Sequence, residues 1–254
     1  MLPLERRQNI IEQVSIKKCV KVVNLSKEFG VTEETIRRDL EKLEQEGTLM
    51  RTYGGAVMAK KANEELPLSV RLRENKEGKE LMGQIISGLI GDGDVIMIGS
   101  GTTNLEIARK LNCDQEIMIL TNSLGVLSEA VQNNKIKVIC VGGTLVRKTL
   151  AFMGPTAIKT INSYYVDKVI LSCKGIDMEK GLMESSELEV EIKRAVVKSG
   201  KKVILAVDHT KFNSLSMVNL FDFSDIDMVV TDVRPSKEWM KFFEKQSIEC
   251  LFSV

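Results

Sequence analysis

Arg37 and Arg38 stand near the start of residues 32–45, a segment whose pattern predicts a helix. The Thr32 hydroxyl can cap that helix, because it can accept one of the backbone N–H groups that the first turn leaves free. Apolar residues recur at helical spacing from Ile36 onwards, and Arg38 points away from the stripe that they form. A guanidinium group offers donors in a planar fork that matches the edge of guanine or a phosphate oxygen.

The outward side of this helix, and a hairpin predicted after it, carry polar and basic groups that fit the major groove and backbone of duplex DNA. The candidate DNA contacts share an outward position near the helix cap, along the helix or on the hairpin: Thr32, Thr35, Arg37, Arg38, Lys42, Arg51 and Tyr53. An isolated helix of this kind is more often a solvated surface helix, so the neighbouring elements decide between the two interpretations.

The elements before the arginine helix predict a helix-turn-helix. A first amphipathic helix begins near Pro3, and a short second helix ends at Gly30, a residue that can take positive φ in a tight turn. Gly47 then stops the third helix. Two helices around a tight glycine turn, the second of them with outward arginines, favour DNA binding over a plain surface helix.

A wing follows the third helix in this prediction. Residues 49–53 have the pattern of a strand, Gly54 and Gly55 of its turn, and residues 56–58 of the return strand. Arg51 and Tyr53 then either touch phosphate or the minor groove, or belong to a hairpin that only closes the small core. The winged helix-turn-helix is therefore assigned to residues 1–58.

The composition of the chain limits the kinds of function that it can have. The formal net charge of the 254 residues is +1, so DNA contact must come from local placement of charge. No apolar run is long enough to span a membrane, and the five scattered cysteines indicate buried free thiols in a reducing cytoplasm. The single histidine, His209, argues against a histidine-based metal site, and we expect neither a metal nor a cofactor.

Residues 59–77 are rich in charge and predict a linker, and residues 78–254 predict an α/β domain with a parallel sheet. Apolar segments typical of buried parallel strands alternate there with helical patterns. The predicted strands are 94–99, 117–121, 137–141, 168–172, 202–207, 228–231 and a last one within 248–254. The predicted helices include 105–111, 124–132, 187–198 and 237–245.

Small and polar residues follow the carboxyl ends of five predicted strands, where open parallel sheets bind their ligands. The most specific is Ser-Gly-Thr-Thr at 100–103: its glycine lets the backbone approach an anion, and the next helix supplies free N–H groups. It is neither G-x-G-x-x-G nor a P-loop, so nucleotide binding is not indicated. Alone it could be an ordinary turn, but Lys174, Lys211 and the pair Gly142-Gly143 at neighbouring strand ends favour a phosphate site.

Both halves of the chain resemble the DeoR family of bacterial transcription regulators. The resemblance is carried by Thr-Ile-Arg-Arg-Asp-Leu at 35–40, Gly-Gly-Ala at 54–56, Ser-Gly-Thr-Thr at 100–103, Gly-Ile-Asp at 175–177 and Asp-x-x-Lys-Phe at 208–212. It implies a DNA-binding regulator, usually a repressor of sugar-metabolism genes. Its sensor domain is expected to be similar to ribose-5-phosphate isomerase and to bind a phosphorylated sugar.

The spacing and the resemblance together give a candidate effector site. Its residues lie at the predicted strand ends: Gly99, Ser100, Gly101, Thr102, Thr103, Asn122, Gly142, Gly143, Lys174, Asp208 and Lys211. In three places the chain departs from the family pattern. Thr32 stands where serine is more usual, Tyr53 where histidine is frequent, and Gly99 where many members have aspartate.

Two rival functions remain at this point. One is a sugar-phosphate isomerase with an appended DNA-binding domain, for which Asp177, Asp208 or Glu191 could be the general base. The other is an architectural DNA-binding protein without a ligand. The favoured hypothesis is a regulator that binds an operator as a homo-oligomer, a dimer or a tetramer, because two copies on two half-sites multiply specificity.

Overall fold

The computed structural model describes residues 2–17, 19–46, 48–58, 68–111 and 114–253. Its internal contacts divide the chain into a first unit, Met1–Glu74, and a second unit, Asn75–Val254. This division falls within the predicted linker, residues 59–77, of which 59–67 lie outside the described residues.

The first unit is a winged helix-turn-helix, as the sequence predicts. Its elements in chain order are α1 (Pro3–Lys17), β1 (Cys19–Lys21), α2 (Val22–Phe29), α3 (Glu33–Gln45), β2 (Leu49–Thr52), β3 (Gly55–Met58) and α4 (Leu68–Arg73). Gly30 ends α2 in the left-handed region, with φ of 63°. The predicted stop at Gly47 lies outside the described residues.

The small sheet of the first unit differs from the prediction in two ways. Strand β1 was not predicted, because three residues are too few to show a period; it makes the sheet three-stranded, in the order β1-β3-β2. The turn lies one residue earlier than predicted: Thr52 pairs with Gly55, so Tyr53 and Gly54 form it. Gly55 is instead the first residue of strand β3. Glycine is needed there because a Cβ would lie 2.0 Å from the carbonyl oxygen of Val20.

The second unit is an α/β domain built on a parallel sheet, which confirms the predicted fold class. Its helices are α5 (Lys76–Ser87), α6 (Thr102–Lys110), α7 (Leu124–Ala130), α8 (Pro155–Ile161), α9 (Glu187–Lys198) and α10 (Lys237–Lys245). The strands of its main sheet are β4 (Val95–Ile98), β5 (Ile117–Thr121), β6 (Ile136–Cys140), β9 (Val166–Leu171), β12 (Gly200–Ala206), β14 (Met228–Thr231) and β15 (Glu249–Phe252). Every strand predicted for this sheet is present, with bounds shifted by a few residues at most.

Short antiparallel strands were missed, as were helices α5 and α8. These strands are β7 (Thr144–Val146), β8 (Ala151–Met153), β10 (Gly175–Asp177), β11 (Gly181–Glu184) and β13 (Val218–Phe221). They form a two-stranded sheet, β7-β8, and a three-stranded one, β10-β11-β13. With three or four residues each, their sequences lack room for a recognisable alternation.

The order of the main sheet decides where a ligand can bind. In the described part of the chain it is β15-β14-β12-β9-β4-β5-β6, with every neighbouring pair parallel. The chain builds outward in one direction from β4 and in the other from β9. The crevice beyond the carboxyl ends of these two adjacent strands is therefore the switch point at which open α/β sheets bind ligands.

Two apolar layers hold the sheet between its helices. One face packs against α5, α6 and α7 through residues such as Ile86, Ile107 and Val126. The other face packs against α8, α9 and α10, where Trp239 and Phe243 are fully buried. Burying an aromatic side chain of this size stabilises a fold by roughly 1.5–3 kcal/mol, so these two side chains anchor α10 to the sheet.

Candidate DNA-binding surface and effector site

Helix α3 is capped and oriented as its sequence predicts. The Thr32 hydroxyl accepts a hydrogen bond from the Thr35 amide at 3.2 Å, and the two hydroxyl groups lie 2.9 Å apart. Ile36, Leu40 and Leu43 are buried in the core of the first unit. That burial leaves the opposite side of α3 facing solvent.

Arg38 lies on this open side of α3, and Arg37 lies on its flank. The side chains of Arg37 and Arg38 are 52% and 74% exposed, and each rests 3.4 Å from a glutamate one turn earlier, Glu33 and Glu34 respectively. Exposed pairs of this kind contribute only about 0.3–0.5 kcal/mol. Either guanidinium group can therefore exchange its glutamate for a base edge or a phosphate at little cost. Lys42 is also exposed.

Arg51 joins the wing to α3. Its Nε lies 2.7 Å from Oε2 of Glu44, and its backbone N–H donates to the other carboxylate oxygen at 2.9 Å. These hydrogen bonds lower the pKa of the Glu44 carboxyl. Arg51 thus links the hairpin to α3, and Tyr53 projects fully exposed from the hairpin tip.

In the second unit, the predicted phosphate loop lies at the switch point, between β4 and α6. Gly101 has φ of 127°, a region that only glycine adopts readily, and nothing stands within 4 Å of the position a Cβ would take. The first intrahelical bond of α6 runs from the Leu105 amide to the Gly101 carbonyl at 3.0 Å. The amides of residues 102–104 therefore precede the regular ladder and face the loop side, as in helix N-termini that bind anions.

A small cavity lies beside this loop. Its volume is about 10 Å³, room for about one water molecule, so a larger molecule requires its lining to rearrange. The lining comes from β8, β9 and α9 and from the residues that follow β4 and β5: Gly99, Ser100, Asn122, Met153, Leu171, Glu189, Ile192, Lys193 and Val196. Of the predicted effector residues, the cavity thus brings together Gly99, Ser100 and Asn122.

Two buried amide oxygens near the loop lack a hydrogen-bond partner among the described residues, the Oδ1 atoms of Asn104 and Asn122. The Nδ2 groups of the same side chains are engaged, with the carbonyls of Ser100 at 3.2 Å and Phe152 at 3.3 Å. A buried acceptor without a donor costs about 1–3 kcal/mol. Both oxygens are therefore candidate acceptors for hydroxyl or N–H groups of a ligand.

The far wall of the cavity holds an ion pair that the sequence did not predict. Lys193 Nζ donates to Glu184 Oε1 and, at 2.6 Å, to the Ser172 carbonyl. Burial acts to raise the pKa of Glu184, but Lys193, Glu189 and Lys174 together outweigh it and lower that pKa to about 2. Burial acts to lower the pKa of Lys193, and Glu184 and Glu189 reverse this to a net rise. Both groups are therefore charged at neutral pH.

Of the other predicted effector residues, Gly101, Thr102 and Thr103 are in the β4–α6 loop or at the start of α6, outside the cavity lining. The rest follow β6, β9 and β12 and are also outside the lining: Gly142, Gly143, Lys174, Asp208 and Lys211. Asp208 Oδ1 accepts from the Thr210 amide at 2.9 Å, so this carboxylate caps a short 3-10 helix that includes Lys211. Gly142 and Gly143 both have positive φ, and a Cβ on Gly143 would lie 2.6 Å from the Met153 carbonyl oxygen. Here glycine is required by backbone packing, whatever its role toward a ligand.

Lys174 and Lys211 act electrostatically on neighbours of the cavity. The charge of Lys174 contributes to the lowered pKa of Glu184, and that of Lys211 acts on the Cys173 thiol. Burial, the largest influence on Cys173, raises its pKa to about 12, so this thiol is not a nucleophile. Cys19 and Cys140 are exposed, however, and the expectation of buried thiols is wrong for these two.

The three carboxylates considered as a general base have other surroundings. Asp177 Oδ1 accepts from the amides of Glu179 and Lys180, both at 3.0 Å, and so closes the β10–β11 hairpin. Asp208 is the cap described above, and Glu191 is exposed on α9. Within the described ranges, no three His, Cys, Asp or Glu side chains are grouped so that they could hold a metal ion. None of the described helices has the length and apolarity to cross a membrane.

Comparison with known proteins agrees with this architecture. A profile of the DeoR-like helix-turn-helix domain matches residues 6–62, and one of the DeoR C terminal sensor domain matches residues 74–233. Among solved structures, ribose 5-phosphate isomerase A from Methanocaldococcus jannaschii is 16% identical, covers 54% of this chain and 55% of that chain, and has a TM-score of 0.41.

Sequence relatives align along most of the chain. YulB of Bacillus subtilis (strain 168), an uncharacterized HTH-type transcriptional regulator, is 34% identical over 98% of this chain and 96% of its own length. The transcriptional repressor AccR of Agrobacterium fabrum is 31% identical over 90% of this chain and 89% of its own. The glycerol-3-phosphate regulon repressor of Escherichia coli (strain K12) is 30% identical over 98% of each. With a profile match in each unit and relatives that span nearly its whole length, the chain belongs to the DeoR family of transcriptional regulators.

Proposed function

We propose that this chain is a repressor that binds operator DNA and changes its affinity when a phosphorylated sugar occupies the second unit. It acts as a homo-oligomer in the cytoplasm, with one α3 helix in each half-site. The effector binds beyond the carboxyl ends of β4 and β9. It changes operator affinity by a coupling of roughly 1–3 kcal/mol, which requires unequal affinity for the DNA-binding and non-binding states.

The exposed guanidinium groups of α3 support the DNA-binding half of this proposal. Both lie in the first half of the helix, Arg38 on the side opposite its buried stripe and Arg37, half-exposed, on the flank. In helix-turn-helix proteins this part of the second helix contacts base edges in the major groove. Arg51 on the wing is placed to add a phosphate contact.

The geometry of one loop supports the proposal that the second unit binds an effector. The β4–α6 loop combines Gly101, whose φ of 127° opens the backbone, with a free helix N-terminus and two buried amide oxygens that lack donors. An anion fits the N-terminus of α6, whereas the oxygens of Asn104 and Asn122 need donors such as hydroxyl groups. A molecule with both features is a phosphorylated sugar or polyol. The glycerol-3-phosphate regulon repressor among the relatives supports the same class.

The first step of the test is to identify an operator sequence that the protein binds. Full-length protein selects binding sites from random duplex DNA, and fluorescence anisotropy then measures affinity for the selected site. The same titration is repeated with glycerol 3-phosphate, ribose 5-phosphate, fructose 6-phosphate and inorganic phosphate. We expect a selected site with two related half-sites, and a change in Kd of about 5-fold to 150-fold with at least one organic phosphate. Selection of no site contradicts DNA binding, and an unchanged Kd with every organic phosphate contradicts the effector class.

A further inference from the structure

The cavity beside Ser100 has walls that suit the carbon and hydroxyl end of a ligand better than its phosphate. Its apolar residues, Met153, Leu171, Ile192 and Val196, offer surface for C–H groups. Its polar groups are an amide, a carboxylate and a lysine that is already paired. A phosphate dianion entering this space would meet Glu189 together with a cation whose charge Glu184 already balances.

Asn122 supplies the acceptor in this cavity. It is fully buried, its Nδ2 is held by the Phe152 carbonyl, and its Oδ1 has no donor among the described residues. Because Nδ2 is fixed, the amide cannot turn to remove the deficit without leaving the Phe152 carbonyl unpaired. A ligand hydroxyl group would satisfy Oδ1 directly.

Lys193, in the lining of the same cavity, supplies a donor. An ammonium group has three N–H donors, and two of them go to Glu184 and to the Ser172 carbonyl. The third can donate to a hydroxyl or carbonyl oxygen of a ligand. The side chains of Lys193 and Glu184 are 9% and 1% exposed, so the ion pair is shielded from solvent. When the lining opens to admit a ligand, the paired ammonium becomes available to it.

We propose that Asn122 and Lys193 form a hydroxyl-recognition subsite that determines effector specificity, separate from the phosphate loop at Gly101. This inference rests on the proposed function, which it deepens. The effector enters with its phosphate on the N-terminus of α6 and its hydroxyl-bearing carbons directed toward α9. Because Gly99 has no side chain to contribute, these two residues supply the contacts beyond the β4–α6 loop that favour a sugar phosphate over inorganic phosphate.

The test compares two probes, inorganic phosphate and the organic phosphate to which the wild-type protein binds most tightly. Isothermal titration calorimetry on the full-length protein measures both dissociation constants. Asn122→Ala should raise the dissociation constant of the organic phosphate about ten-fold, the loss expected for one buried hydrogen bond. The dissociation constant of inorganic phosphate should change by no more than about two-fold. Asn162→Ala, the same change at an exposed position at the end of α8, should alter neither constant.

A second variant addresses Lys193 without leaving a buried charge unpaired. Lys193→Met combined with Glu184→Gln removes both charges at similar volume, and its melting temperature and ligand-free operator affinity report whether it is folded. This variant should lose the preference for the organic phosphate as well. The proposed subsite is contradicted if Asn122→Ala and the folded double variant both keep that preference. It is also contradicted if both variants lose affinity for the two probes equally. If the wild-type protein binds no organic phosphate, the proposed function fails first, and the subsite fails with it.

Discussion

Arg6 Nε lies 2.6 Å from Oδ2 of Asp39, and these two side chains are only 8% and 7% exposed. Asp39 follows the two exposed arginines of α3 directly in the sequence, and Arg6 is on α1. The charged residues of one short segment therefore have opposite roles. Arg37 and Arg38 face solvent, whereas Asp39 fixes α3 to α1 and sets the direction in which the arginines point.

Breaking this pair should unfold or loosen the first unit. Asp39→Ala leaves a buried guanidinium without a counter-charge, which costs about 3–5 kcal/mol. A unit of this size has little more stability than that, so operator binding should be lost although Asp39 makes no DNA contact. Urea denaturation followed by circular dichroism measures the loss, with Arg37→Ala as the exposed control. Replacing both partners, Arg6→Met with Asp39→Leu, should recover much of the stability. An unchanged midpoint for Asp39→Ala would show that the pair is dispensable.

Arg38→Ala should weaken operator binding without affecting the fold. If Arg38 forms a bidentate contact with guanine, its loss costs about 1–3 kcal/mol and relaxes the base preference at one position of each half-site. Its side chain is 74% exposed and, among the described residues, pairs with Glu34 alone, so the melting temperature should be unchanged. Anisotropy against the selected operator and its single-base variants measures both effects. Equal binding by wild type and variant would identify Arg38 as solvated surface.

Arg51→Ala should show what the wing contributes. A phosphate contact is independent of base sequence, so its loss weakens binding uniformly and lowers the salt slope by about 1. Glu44→Gln tests whether Arg51 acts by holding the hairpin against α3, because this change weakens the pairing with Arg51 but keeps its guanidinium charge. A fall in the slope for both variants alike would mean that Arg51 acts only by holding the hairpin against α3.

Gly101→Ala should abolish the response to effector and leave operator binding intact. Alanine at φ of 127° is strained by about 1–3 kcal/mol, which the loop can relieve only by moving away from the geometry that opens the N-terminus of α6. Gly93→Ala is a matched control, since Gly93 also has positive φ with open space around it but lies in the turn before β4. Calorimetry should show that Gly101→Ala binds both inorganic and organic phosphate more weakly than the wild-type protein, whereas Gly93→Ala binds both normally. Normal effector binding by that variant would move the anion site elsewhere.

The second unit should lose stability in acid through Asp232. Its carboxylate accepts from Asn75 Nδ2 at 2.7 Å and from the His209 amide at 2.7 Å, and its Oδ2 lies 2.7 Å from His209 Nδ1. Burial acts to raise the pKa of Asp232, but the hydrogen bonds outweigh it and the pKa is lowered. Because the folded pKa lies below the unfolded one, this contribution is complete above about pH 4 and is lost as pH falls through the folded value.

The measurement is the unfolding free energy of wild type and Asp232→Asn between pH 7 and pH 3. We expect Asp232→Asn to be less stable by about 1 kcal/mol at pH 7, with the difference shrinking toward pH 3. Asp222→Asn, at a more exposed position before a 3-10 helix, gives the background for losing one carboxylate. A difference that stays constant with pH would mean that Asp232 stabilises the unit by packing alone.

The sequence by itself determined the elements whose signal is local. Thr32 as the cap, the apolar stripe of α3 and the seven apolar segments of the main sheet are all patterns within one stretch of chain, so periodicity and capping chemistry predicted them. The loop at 100–103 was predicted in the same way, since a glycine between a strand and a helix is meaningful without knowledge of the neighbours.

Only the tertiary structure decided which residues meet. The adjacency of β4 and β9, which are separated by about seventy residues of chain, creates the switch point. Packing of the helices on that sheet brings Asn122 and Lys193 into the lining of one cavity. The sequence marked Asp208, Gly142 and Gly143 as readily as Asn122, because a polar or glycine residue after a strand looks the same whether it caps a turn or lines a cavity. Likewise, Asp39 could be told apart from its exposed neighbours only once α1 packed against it, since burial is a property of the assembled chain.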